Sequence, residues 1–71
     1  INPHTTDYDK KYTTLDDAVD AIVHSSMLSV DKSDSIAGIR NDGPREYYAA
    51  IINIANSSML SNNKKEAIIK L

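Results

Sequence analysis

The chain has 71 residues and no Cys, and its ten acidic and eight basic side chains give a formal net charge of −2. One domain of this length buries only about 60% of the surface that its unfolded chain exposes. Without Cys, neither disulfides nor thiolate metal ligands can add stability, which leaves association with a second chain, and the net negative charge excludes a uniformly basic nucleic-acid-binding protein.

Residues 1–12 are mostly polar and show no periodic apolar pattern, which predicts a flexible linker or tail ahead of one helical domain over residues 13–71. Because the chain begins with Ile1 and not with Met, we expect an excised fragment of a longer protein. No apolar run approaches the roughly 18 residues of a membrane-spanning helix, so we expect the fragment itself to be soluble.

A capped amphipathic segment follows the tail. Thr13 or Thr14 can accept hydrogen bonds from free amides of the first helical turn, and the acidic residues that follow favour the positive end of the helix dipole. Apolar residues then recur at helical spacing, namely Leu15, Ala18, Val19 and Ile22. The pattern predicts helix one from about Thr14 to Leu28.

Three further helices are predicted: a short one from Asp31 that ends before residues 41–43, a longer one from Pro44 to about Leu60, and a last one from Asn63 to Leu71. Pro suits the first position of a helix, Asn and Gly stop one, and Asn63 with Glu66 is spaced as a capping pair. Because no alternating strand pattern competes, the predicted fold class is all-α, with three to four short helices.

The sequence contains an internal repeat. A shift of 32 residues superimposes Ser25–Ser29 on Ser57–Ser61, and identical or similar residues continue the register on both sides. We therefore expect two helix-turn-helix hairpins, each with a long helix, a Met-Leu-Ser exit and a short helix. The alternative is that two unrelated segments have similar residues because they need similar helix caps and packing contacts. Both explanations predict the same helices.

Helix three carries two adjacent apolar rows, whereas a surface helix of a monomer usually needs only one. The first row is Tyr47, Ile51 and Ile54, and the second is Tyr48, Ile52, Ala55 and Met59. One row can close the core of the domain while the second faces another copy across a two-fold axis, which predicts a homodimer with the second row at its interface. The alternative is that helix three is the central helix of a monomer, surrounded by the others.

Five polar residues near helix ends form the candidate nucleic-acid site: Arg40, Arg45, Asn62, Lys64 and Lys65. They belong to the basic half of the chain, because residues 36–71 carry three acids and five bases, for +2, and residues 1–35 carry seven acids and three bases, for −4. Lys and Arg can each neutralise one phosphate, and helix N-termini add amide donors. Solvated charges that cap helix ends are the alternative.

Catalytic and metal-binding patterns are weak. Asp20 and His24 are spaced to meet on one helix face, but two groups do not make a zinc site, and an exposed helix pair explains them. Residues 31–42 place four oxygen-bearing side chains as in a calcium loop, yet Ile36 stands where Gly is required. No Gly-rich phosphate loop exists. We expect no enzyme, no metal, no cofactor and no small-molecule substrate.

The order of these features resembles a phage protein family. An acidic first helix, a short second helix ending at Arg40, a long apolar third helix from Pro44 and the turn Asn62–Lys65 resemble the C-terminal domain of the DNA-replication organiser membrane protein of phi29-like Bacillus phages. The resemblance spans nearly the whole chain. It implies a homeodomain-related helix-turn-helix arrangement, a symmetric helical dimer that can form higher multimers, and binding of single- and double-stranded DNA without strong sequence preference.

The same resemblance implies that Arg40, Asn62 and Lys65 contact DNA and that the parent protein lies at the cytoplasmic face of the host bacterial membrane. Residues 51–56 lack the aromatic and basic residues of a homeodomain recognition helix, so we expect contacts to phosphates from turns and helix ends. The predicted function is a dimeric DNA-binding module that organises phage DNA replication at the membrane. A protein-interaction module whose second apolar row receives a partner helix is the alternative.

Overall fold

The computed structural model describes residues 13–71, and the linker predicted for residues 1–12 lies outside the described residues. Residues 13–71 form four α-helices and no strand: α1 Leu15–Val23, α2 Ser29–Ala37, α3 Arg45–Ala55 and α4 Ser61–Lys70. The predicted all-α class is confirmed. Among the described helices, none combines the length and the apolar character needed to cross a bilayer.

Helix α1 starts with a capping box. The Asp17 amide donates to the Thr14 hydroxyl at 3.3 Å, and the Thr14 amide donates to the Asp17 carboxylate at 3.1 Å. These reciprocal bonds satisfy amides that have no partner inside the helix, so the start predicted at Thr14 is confirmed. The end predicted at Leu28 is wrong, because α1 stops at Val23. There the Ile22 carbonyl accepts from the Ser25 amide at 3.1 Å and from the Ser25 hydroxyl at 2.6 Å.

Helices α2 and α4 start without a side-chain cap. Their N-caps are Leu28 and Leu60, whose carbonyls accept from the amides of Lys32 and Lys64, each at 2.9 Å. The capping pair predicted at Asn63 is therefore wrong, because α4 already begins two residues earlier at Ser61. Helix α3 also ends five residues before the predicted Leu60, at Ala55.

The 32-residue repeat appears in the backbone. The last residues of α1 and α3 are 32 positions apart, and so are the first residues of α2 and α4. The connecting turns match in detail: Leu28 has φ −67° and ψ 152°, Leu60 has φ −67° and ψ 154°, and Ser57 repeats the bond of Ser25 at 2.7 Å. The helices thus form two equivalent hairpins, hairpin 1 (α1 and α2) and hairpin 2 (α3 and α4).

The hairpins stack side by side with their helices parallel. Helix α1 packs along α3 and α2 packs along α4. Asp31 and Lys65, near the starts of α2 and α4, are in contact, while Gly38 and Ile69, near their ends, are also neighbours. This arrangement is that of a short helical-repeat array, in which each hairpin contacts its neighbour through one face.

The core lies between the hairpins, and its largest apolar contribution comes from α3. Tyr47, Tyr48, Ile51 and Ala55 are all buried, together with Ala18 and Ile22 of α1 and Ile68 of α4. Residues of both predicted rows of α3 therefore face the interior of the chain. Helix α3 contacts only α1 and α4 and is not surrounded by all three other helices, so the alternative of a central helix is not confirmed either.

Candidate functional site

The four residues predicted at a dimer interface have different environments. Tyr48 is 5% exposed and Ala55 is 1% exposed, so both side chains are already buried in the core of their own chain. The expectation that these two lie between chains is corrected by the structure, because both belong to the buried core of a single chain. Ile52 is half-buried and Met59 is 42% exposed, so both keep surface that a partner can contact.

The five residues predicted to bind nucleic acid lie at opposite ends of the hairpins. Arg40 and Arg45 flank the loop before α3, whereas Asn62, Lys64 and Lys65 belong to the first turn and a half of α4. The 11 residues of α3 separate these ends by about 16 Å, at 1.5 Å per residue. The structure therefore does not bring the five residues together into one basic cluster.

Lys64 is buried, at 2% exposure, which corrects its expected place on a solvated basic face. Its ammonium donates to the carbonyl of Ala55, the last residue of α3, at 3.1 Å and to the Ser26 hydroxyl of hairpin 1 at 3.3 Å. A cation suits the negative end of a helix dipole, so the charge stabilises the end of α3. Since these acceptors hold the ammonium inside the protein, it does not reach a phosphate.

Lys65 belongs to a polar contact between the hairpins. Its ammonium lies 3.7 Å from one Asp31 carboxylate oxygen and 4.0 Å from Asp34. The other Asp31 oxygen accepts from the Ser61 hydroxyl, and that hydroxyl accepts from the Leu28 amide at 2.9 Å. Asp31 is itself buried, so these partners compensate for its desolvation.

The loop before α3 is fixed by two tyrosines. The Arg40 amide donates to the Tyr47 hydroxyl at 3.0 Å, and the Arg40 guanidinium lies 4.2 Å from the centre of the same ring. The Tyr48 hydroxyl donates to the Arg40 carbonyl at 2.9 Å and accepts from the Gly43 amide at 3.1 Å. Arg40 is thereby held in place while its side chain stays exposed.

A groove of about 350 Å³ runs between α1 and α3, and its lining residues are Asp17, Asp20, Ala21, His24, Ile52 and Asn56. Ala21 and Ile52 are half-buried apolar residues that contact the core. The carboxylates come from α1, and Asp20 is exposed over 73% of its side chain. We call this feature the acidic groove, since carboxylates of α1 lie beside its apolar residues.

Asp20 and His24, the C-cap residue of α1, form the predicted exposed pair at the end of that helix. The His24 Nδ1 lies 2.9 Å from the Asp20 carbonyl oxygen and 3.2 Å from its carboxylate. Within residues 13–71, no three His, Cys, Asp or Glu side chains gather in a way that could hold a metal ion. The pair is best described as an exposed polar edge of the acidic groove.

Comparison of the sequence with protein-family models and with characterised proteins, and of the fold with solved structures, found no match.

Sequence reasoning missed two parts of this geometry. The acidic groove needs the parallel packing of α1 on α3, which no local pattern encodes. The repeat indicates that Lys32 and Lys64 occupy equivalent positions, but it does not indicate that Lys64 is buried, because Lys32 is only half-buried.

Proposed function

We propose that this chain is a protein-interaction module that binds a basic, partly apolar segment of a partner protein in the acidic groove. The observation that carries the proposal is the combination of half-buried Ala21 and Ile52 with two carboxylates on α1, the exposed Asp20 and the half-buried Asp17. Helical-repeat arrays commonly bind partners on the surface formed by equivalent helices of successive repeats, and α1 and α3 are such helices here.

The charges of the groove favour a basic partner. Asp17 and Asp20 lie on the same wall, and the described groove lining contains no Lys or Arg. A Lys or Arg side chain can place its ammonium or guanidinium beside these carboxylates and its methylene groups on Ile52. Complementary charge of this kind mainly adds specificity and association rate, so we expect binding to weaken as salt rises.

The test uses NMR titration of the labelled full chain with a synthetic peptide that alternates Lys and Leu. We expect the amide signals of the groove residues to shift, and Asp20→Asn to weaken binding several-fold. Asp16→Asn is the matched control, because Asp16 is exposed on the same helix and does not line the groove. Equal binding by both variants, or shifts spread over all four helices, would contradict the proposal.

DNA binding and a role in replication at a membrane remain predictions, and a short duplex oligonucleotide provides their test. Each phosphate that the protein neutralises should add about −0.9 to the slope of log K against log salt. Arg40→Ala and Arg45→Ala should then each weaken binding, while Lys64 should not contribute because its ammonium is buried. Oligonucleotide binding with this pattern, in the absence of peptide binding, would replace the proposal with the DNA-binding function.

The homeodomain-related arrangement and the symmetric dimer, which the resemblance implies, also remain predictions. A symmetric dimer would place Ile52 and Met59 between chains and would cover part of the acidic groove. Peptide titration at increasing protein concentration distinguishes peptide binding from dimerisation at Ile52. If the chain dimerises there, the apparent affinity for the peptide should fall as the protein concentration rises.

A further inference from the structure

The two hairpins share one backbone arrangement but bury different positions. The buried residues of hairpin 1 and the loop after it are Ala18, Ile22, Met27, Asp31, Ser35 and Ile39. The buried residues of hairpin 2 are Tyr47, Tyr48, Ile51, Ala55, Lys64 and Ile68. After the 32-residue shift, no position within residues 13–71 is buried in both hairpins.

This difference follows from the neighbours that each hairpin has. Hairpin 1 buries the side that packs against hairpin 2, which we call its front face. Hairpin 2 buries the opposite side, its back face, against hairpin 1. Within the described residues, the front face of hairpin 2 and the back face of hairpin 1 have no hairpin packed on them.

Both of these faces keep most of the apolar side chains that a buried face needs, and the charged exception is Asp16, which is equivalent to Tyr48. The front face of hairpin 2 consists of Ala50, Ile54, Met59, Asn63, Ala67 and Leu71, which are half-buried or exposed. The back face of hairpin 1 includes Leu15, Val19, Val23, Lys32 and Ile36, which are likewise half-buried or exposed. Terminal units of a helical array normally carry polar outer faces, so these apolar faces are typical of internal units.

We infer that a second copy of this chain stacks head-to-tail, with the front face of hairpin 2 packed on the back face of hairpin 1 in the next copy. The interface between copies would then continue the interface already present between the hairpins of one chain. Contact between two different faces does not close on itself through a two-fold axis, so copies add one after another.

The polar contacts between the hairpins support this continuation. Within the chain, the Leu28 amide donates to the Ser61 hydroxyl and the Lys64 ammonium donates to the Ser26 hydroxyl. At the equivalent positions, the next interface offers the Leu60 amide to Ser29 and the Lys32 ammonium to Ser58. Both pairs keep a donor and a hydroxyl acceptor.

The two ion pairs of Lys65 do not continue to the next copy. Lys65 with Asp31 becomes Ser33 with Asn63 at the equivalent positions, and Lys65 with Asp34 becomes Ser33 with Glu66. We therefore expect stacking between copies to be weaker than stacking within the chain, and to increase gradually as concentration rises.

Sedimentation of the full chain from micromolar to millimolar concentration gives the first test. We expect the average mass to rise past the dimer without a plateau at twice 7.8 kDa. A stable monomer throughout, or a plateau at the dimer mass, would overturn head-to-tail stacking.

Two single variants give the decisive test. Val23→Lys puts a charge on the back face of hairpin 1 and Met59→Lys puts one on the front face of hairpin 2, at residues that are 47% and 42% exposed. The corresponding buried positions are Ala55 and Met27. Each variant alone should remain monomeric, because one of its two faces is blocked.

A mixture of the two variants should form a 1:1 dimer. The Met59→Lys copy keeps its back face and the Val23→Lys copy keeps its front face, so one unaltered interface can form and no further copy can add. This recovery also shows that both variants are folded. Failure of the mixture to associate, with both variants folded by circular dichroism, would overturn the inference, as would self-association of either variant at the level of the unaltered chain.

Discussion

Lys32 and Lys64, which are 32 positions apart, make the same contact in the two hairpins. The Lys32 ammonium donates to the carbonyl of Val23 at 2.7 Å, and the Lys64 ammonium donates to the carbonyl of Ala55 at 3.1 Å. Each lysine thus reaches back from the second helix of its hairpin to the last residue of the first. Both contacts join a cation to the negative end of a helix dipole and fix the angle of the turn between them.

The two lysines should differ in their contribution to stability. Lys64→Met keeps the apolar stem but leaves the buried Ala55 carbonyl and the Ser26 hydroxyl without their donor. We expect a loss of about 1–3 kcal/mol in the free energy of unfolding. The matched variant Lys32→Met affects a less buried group and should cost less. Urea denaturation of both variants measures the difference, and equal losses would show that burial of Lys64 is unimportant.

Ser35→Ala should stabilise the protein. The Ser35 hydroxyl is fully buried and has no hydrogen-bond partner among residues 13–71. Removing a buried hydroxyl without a partner eliminates its desolvation cost, and Ala is the better helix former, so we expect a gain of about 1 kcal/mol. The equivalent position of hairpin 2 is Ala67. Thermal unfolding provides the measurement, and a lower melting temperature would mean that the hydroxyl has a partner that the structure does not show.

The two glycines should respond in opposite directions to substitution by Ala. A Cβ atom at Gly43 would overlap the ring of Tyr47, which is held in the core, so Gly43→Ala should cost about 1–3 kcal/mol. A Cβ atom at Gly38 would lie 3.2 Å from the exposed side chain of Ile69, which can move aside. Gly38 also has a right-handed helical backbone, so Gly38→Ala should be neutral or stabilising. Similar melting temperatures for the two variants would contradict this expectation.

Tyr48→Phe should loosen the loop before α3 without emptying the core. The substitution removes the bonds to the Arg40 carbonyl and the Gly43 amide but keeps the buried ring. We expect a loss of about 1–2 kcal/mol and faster hydrogen exchange at the Gly43 amide. Tyr47→Phe removes one bond to this loop and serves as the comparison, and unchanged exchange at Gly43 in Tyr48→Phe would contradict the assigned bonds.

Local sequence signals predicted much of the fold. The capping box at Thr14 and the 32-residue repeat were visible because they depend on residues close in sequence or on direct self-similarity. Helix ends were placed too late, since Met27 and Leu28 continue the apolar pattern of α1 beyond Val23. The actual stop involves the Ser25 hydroxyl, and because Ser bonds to the backbone both in turns and at helix ends, its presence does not mark the boundary.

The candidate sites were harder to predict, because they depend on packing between distant segments. A Lys two residues after an Asn in a polar turn is usually solvated, whereas Lys64 is buried and donates to Ser26 of hairpin 1 and to Ala55 of α3. The second apolar row of α3 could face a partner or the chain's own loop. Tyr48 contacts the loop, since its hydroxyl bonds to residues five and eight positions before it, whereas Ile52 and Met59 of the same row keep exposed surface.

The hydrogen bonds from Tyr47 and Tyr48 also decide how the chain can be divided. Three bonds tie the backbone of Arg40 and Gly43 to α3, so this loop belongs structurally to hairpin 2 although it follows hairpin 1 in sequence. When the hairpins separate, the break should fall at the end of α2, near Gly38, and the loop should leave with α3. A fragment that begins at Gly38 therefore retains the anchors of the loop, whereas one that begins at Pro44 loses all three.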